Sequence, residues 1–112
     1  MSCEKTEKNN TERYIRDLKK AVLLKFKSAT SPSPDIMTEA DKESAELYRR
    51  MSDYSGKTVK AIIKEVNEKF SEEWINQTED KFRKSESLYA YRQKKYREVM
   101  TMLHCMDKEE RT

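Results

Sequence analysis

From Lys57 to Thr112 the chain runs 56 residues without a glycine or a proline. Gly and Pro are the residues that most readily end regular structure, one by freeing the backbone and the other by removing an N–H. The whole sequence has one Gly, Gly56, and two Pro, Pro32 and Pro34. No alternating strand pattern appears, and apolar residues recur at steps of three and four. The expected fold is therefore all-α: three or four amphipathic helices in a small bundle, the last long and partly coiled-coil-like.

The first helix is expected at 11–28, with Tyr14, Ile15, Leu18, Val22 and Phe26 on one side and Leu23 and Leu24 widening the stripe. Two prolines and three serines make 28–35 a stiff Ser/Pro linker. Ser31 and Ser33 each precede a proline, which fits proline-directed phosphorylation as well as a plain helix stop. Thr38, with Asp41 three residues on, reads as a capping box and predicts a second helix over 39–54. Its face carries Leu47, Tyr48, Met51 and Tyr54, and Gly56 supplies the stop. The third segment begins at Thr58 and has the cleanest stripe: Val59, Ile62, Ile63, Val66, Phe70 and Trp74. Asn76, Gln77 and Thr78 are weak helix formers, so a break is expected there, with Thr78 capping a last helix over 79–106. One continuous helix is the alternative. Residues 11–106 form one domain between flexible ends at 1–10 and 107–112.

The charge is unevenly spread. The net charge is +3, yet 81–97 holds seven basic residues against the single acid Glu86. On a helical projection Phe82, Tyr89, Tyr96, Val99, Met100 and Leu103 form one apolar stripe. Arg83, Lys84, Lys94, Lys95 and Arg97 fall opposite, with Tyr91 among them. Two uses follow. The stripe could dock into a partner's groove or onto a second copy, with the basic side steering a carboxylate-rich surface. The basic face could hold phosphates, with Tyr91 stacking on a base.

Conventional catalytic and metal chemistry has little to stand on. One Gly excludes Gly-rich phosphate loops, and one His with two distant Cys excludes a zinc site of ordinary spacing. His104 and Cys105 are neighbours, so on a helix they diverge by about 100°. The same holds for the pairs Glu72–Glu73 and Glu109–Glu110. Glu65, Glu68 and Glu72 share a face, but Lys64 and Lys69 interleave and make a surface charge lattice. No enzyme, metal, cofactor or small-molecule substrate is expected. Charged residues make up 40% of the chain and hydrophobic ones 35%, so the core is small and a partner is expected to complete it. Cys3 and Cys105 read as free thiols in a reducing compartment, with no signal peptide and no apolar run of membrane-spanning length. An intracellular site, nuclear or cytoplasmic, is expected.

Two family resemblances arise from these residues. Val66, Phe70, Trp74, the Thr78-capped turn and Tyr96 resemble the second and third helices of an HMG box, which implies DNA bending. Gln77 and Ser85 depart from it, standing where that family has Leu and an aromatic. Leu47, Tyr48 and Arg49, followed by Phe70, are similar to the LYR-motif family of helical mitochondrial assembly factors. That would imply binding of an acyl carrier protein and an enzyme subunit. The function expected from the residues themselves is a non-catalytic protein-interaction module, a subunit or adaptor, with HMG-box-like DNA binding through 81–97 as the alternative.

Overall fold

The computed structural model describes the backbone of residues 2–84 and 87–111 and the side chains of 10–76 and 87–109. Four helices account for nearly all of it: α1 (Ser2–Thr30), α2 (Pro34–Ser55), α3 (Val59–Lys84) and α4 (Leu88–Arg111), with no strand among the described residues.

α1 is the centre. Ala21, Val22, Leu23, Leu24 and Phe26 are all buried, and five residues within six positions cover every side of a helix. The other three helices supply partial stripes against them. α2 contributes Leu47 and Met51, α3 Ile62 and Val66, and α4 Val99, Leu103 and Met106. The spacings of four, four, four and three are those of one helix face. Beside Phe26 an aromatic cluster closes the core: Phe70 lies 4.7 Å and Trp74 6.1 Å from its ring.

Polar contacts fix the directions. Ser28 of α1 donates to Asp41 of α2, while Tyr54 at the far end of α2 donates to Asp17. α2 is thus antiparallel to α1. Arg92 donates to the carbonyl of Ala29 and Lys20 to Asp107, so α4 is antiparallel as well. Tyr14 reaches Glu65 and Lys25 reaches Asn67, which gives α3 the same direction as α1.

Several helix ends differ from the expected ones: α1 begins at Ser2 instead of 11, α4 runs on to Arg111 instead of 106, and two further differences have a local cause. The Ser/Pro linker shrinks to residues 31–33. Ser33 is the N-cap of α2: its Oγ accepts from the Ile36 N–H at 3.3 Å, and Pro34 occupies the first turn. Pro is favoured there because its fixed φ suits a helix and its missing N–H would have had no partner. Thr38 therefore lies inside the helix, where its hydroxyl donates to the carbonyl of Pro34, and Asp41 faces Ser28. The second difference is the break expected at 76–78. α3 continues through these residues to Lys84. Asn and Thr cost only tenths of a kcal/mol each in a helix, and none of the three removes a backbone hydrogen bond. The new start falls at Ser87, whose Oγ accepts from the Ala90 N–H at 3.1 Å. Gly56 behaves as expected, with φ 78° and its N–H on the Ser52 carbonyl.

Candidate interaction surface

α4 divides the residues that the sequence grouped together. Val99 is fully buried, and Leu103 is buried beside Met106. These residues belong to the protein's own core and are not open to a partner. Tyr89, by contrast, is 72% exposed, Met100 is 37% exposed, and Tyr96 is half-buried. Phe82 belongs to α3, and its side chain lies outside the described ones. A strict seven-residue repeat drifts about 20° per heptad on a straight helix. Two heptads from Leu103, Tyr89 has swung out of the buried line.

The basic face is also reassigned. Tyr91, expected among the cations, is 8% exposed and sits edge-on to Trp74 at 5.8 Å. Burial comes first, ahead of the nearby Glu98 and Glu73, in raising its hydroxyl pKa. Lys95 holds its Nζ 4.7 Å over the Phe26 ring and 4.0 Å from Glu98, leaving 11% of its side chain exposed. Lys94 and Arg97 face solvent. Arg83 and Lys84 lie on α3, with side chains outside the described ones. The expected cationic face thus reduces to Lys94 and Arg97 among the described side chains.

A different concave surface is assembled around the 31–33 connector. On one side Leu88, Tyr89 and Gln93 of α4 meet Thr30, Ser31 and Pro32 around a groove of about 550 Å³. On the other, Met37 and Tyr48 of α2 and Ile63 and Phe70 of α3 line a groove of about 710 Å³. Ser31, Pro32 and Arg92 border both. Leu88 (50%), Met37 (43%) and Ile63 (37%) add exposed apolar area. The Tyr89 hydroxyl accepts from Gln93 Nε2 at 2.8 Å, which steadies its ring. Burial, opposed by the hydrogen bond to Ser44, raises the Tyr48 hydroxyl pKa. Sequence reasoning did not single out Leu88 or Pro32 as surface partners of Tyr89. They are separated from each other by 56 positions, and only the antiparallel return of α4 along α1 brings them together.

At the opposite end of α1 two tyrosines tie the helices. Tyr14 donates to Glu65 at 2.5 Å and Tyr54 to Asp17 at 2.9 Å. Lys57 lies 4.4 Å over the Tyr14 ring and Arg13 4.3 Å over the Tyr54 ring. Burial, and then the acceptor carboxylate, raise both hydroxyl pKa values. The Tyr14 hydrogen bond lowers that of Glu65, with Lys57 adding to it. Every group here is matched, so the arrangement is structural.

His104 and Cys105 are both exposed, and Cys105 is a free thiol. Among the described residues no three His, Cys, Asp or Glu side chains gather closely enough to hold a metal, and no helix is long and apolar enough to cross a membrane. Comparison with family models, with curated proteins and with solved structures gives no match.

Proposed function

We propose that the protein is a non-catalytic helical interaction module, a subunit or adaptor of a larger complex. It docks an acidic amphipathic segment of a partner protein against Leu88, Tyr89 and the connector. The observation that carries this reading is Tyr89, an aromatic 72% exposed, standing in a groove with Leu88, Pro32 and Arg92. Water on an apolar surface is displaced favourably at roughly 25 cal/mol per Å². Tyr and Arg are the residue types that most often dominate binding energy. Arg92, with Lys94 and Arg97 further along α4, sets the preferred charge of the occupant as negative. Met100, 37% exposed and about three turns further along the same side of α4 as Tyr89, would lengthen the apolar contact.

The test uses an amphipathic helical peptide of about 18 residues, five turns, with Leu on one face and Glu on the other. A second peptide replaces Glu by Lys. Fluorescence polarisation against the full chain is expected to show binding of the Glu peptide, weakening as salt rises, and at least tenfold weaker binding to Tyr89→Ala. Equal binding of both peptides, or no effect of Tyr89→Ala, would overturn the reading. Retention of the chain on duplex DNA, lost in a Lys94→Ala/Arg97→Ala variant, would replace it with the nucleic-acid alternative. Concentration-dependent sedimentation abolished by Tyr89→Ala would make the occupant a second copy.

A further inference from the structure

We infer that Ser31 is a phosphorylation site for a proline-directed protein kinase, and that Arg92 holds the phosphate. Kinases act on extended backbone, so a helical serine is a poor acceptor. Most of the described serines and threonines lie within helices, whereas Ser31 lies in the three-residue connector between α1 and α2. It is followed by Pro32, which is exposed, as is Pro34. Ser33 shares the Ser-Pro pattern, but its Oγ is engaged by the Ile36 N–H as the cap of α2. Modifying it requires the first turn of that helix to open. Among the described residues Ser31 Oγ engages only the neighbouring Ser33 backbone, donating to its carbonyl at 2.5 Å and accepting from its N–H at 3.2 Å.

The surroundings suit the product. Arg92 reaches Ala29, two residues before Ser31, and borders both grooves that Ser31 borders. One of the five guanidinium N–H groups is used on the Ala29 carbonyl. Lys25 lines the larger of the two grooves. A phosphoserine carries close to two negative charges near neutral pH and three strong acceptor oxygens, the chemistry that guanidinium groups pair with best. In the transfer, the Ser31 oxygen forms a bond to the γ-phosphorus of a nucleoside triphosphate. The bridging P–O bond breaks, the nucleoside diphosphate leaves, and the hydroxyl proton passes to the kinase's base. The donation from Ser31 to the Ser33 carbonyl is lost with that proton. The Ser33 N–H and Arg92 remain as donors to the phosphate.

The consequence, which rests on the docking reading, is regulation. The new charge sits where the two grooves meet and cancels Arg92, so an acidic occupant is repelled.

The test starts with the full chain, a proline-directed kinase and Mg·ATP, with the site mapped by mass spectrometry. One phosphate is expected on Ser31, lost in Ser31→Ala and Pro32→Ala, restored in Ser31→Thr and kept in Ser33→Ala. No incorporation, or incorporation only at another residue, overturns the inference. Circular dichroism of each variant checks that the helices remain. A ³¹P titration then reads the contact. Pairing with Arg92 lowers the second phosphate pKa below its ordinary value of about 6, and Arg92→Gln brings it back. The same titration curve in both proteins overturns the assignment of Arg92. Finally, phosphorylation is expected to weaken the Glu peptide at least tenfold. Absence of peptide binding before phosphorylation counts against the docking reading alone, because mapping and titration do not depend on it.

Discussion

The hydroxyl of Tyr14 donates to the Glu65 carboxylate at 2.5 Å across 51 positions of sequence, fixing the start of α3 against α1. Lys57 completes the contact, 3.4 Å from the same carboxylate and stacked over the same ring. A tyrosine donor costs little to bury when its acceptor is charged and its ring is packed.

Tyr14→Phe removes the leading cause of the lowered Glu65 pKa. A carboxyl that is more acidic in the folded state adds stability above its ordinary value of 4.5 and loses it as pH falls. The variant is expected to lose about 1 kcal/mol at neutral pH, a modest figure because Glu65 is one-third exposed. Its stability is also expected to fall less steeply with acid. Urea unfolding followed between neutral and acidic pH checks both. A parallel curve displaced by a constant amount would show that Glu65 gains nothing from the contact.

The alkaline limb has the opposite sign. Tyr14, Tyr48, Tyr54 and Tyr91 all have pKa values raised above 10.0, with burial the first cause in each. A group that holds its proton more tightly when folded adds stability that is fully present below its unfolded value. That stability is lost as pH climbs toward the folded one. The share of tyrosinate absorbance that comes from these four tyrosines is therefore expected to rise in step with loss of the helical circular-dichroism signal above pH 10. Buried tyrosines ionising ahead of unfolding would contradict it.

Gly56 offers a test of backbone cost without packing. Its φ is 78°, and a Cβ built there meets nothing within 4 Å. Gly56→Ala is expected to destabilise by about 1–2 kcal/mol, the cost of a left-handed conformation for a side chain. Gly56→Asn is expected to cost less, because Asn tolerates that region. Both are read by urea midpoint, and an Ala variant as stable as the parent would sink the argument.

The helices were legible because their signals are local. Gly56 ended α2 and the Val59–Trp74 stripe marked α3. The central place of α1 was legible only in part: Leu23 and Leu24 widened its stripe, but nothing in one helix says that three others surround it. Residue placement on α4 was less legible. The heptad through Tyr89, Tyr96 and Leu103 suggested one face, whereas helix drift and the position of α1 divide it between core and solvent. Tyr91 was placed by angle alone. The α3 ring that buries it depends on where Trp74 arrives, which is tertiary information.

Tyr91 and Trp74 supply a spectroscopic check of that junction. Trp74 is the single tryptophan, and it touches Phe26, Phe70 and Tyr91. Tyr91→Ala removes the ring shielding it on the α4 side. Its emission is expected to shift to longer wavelength and become more open to quenching by iodide, while the helical signal is kept. Unchanged emission would return Tyr91 to the solvated face that its helical angle first suggested.

Leu103 and Met100 stand three residues apart on α4 and are expected to behave in opposite ways. Leu103 is 8% exposed within the core cluster, so Leu103→Ala removes atoms from a packed site and leaves a cavity, costing about 2–3 kcal/mol. Met100 is 37% exposed, so Met100→Ala is expected to change stability by less than about 0.5 kcal/mol. Affinity for the Glu peptide reverses the order. Met100→Ala weakens it because the side chain extends the Tyr89 contact, and Leu103→Ala leaves it nearly unchanged under conditions where that variant is folded. Thermal melts and polarisation on the same two proteins decide the matter. If Leu103→Ala were the variant that lost peptide while keeping its melting temperature, α4 would have to detach from α1 to bind, and the docking face would be the inner one.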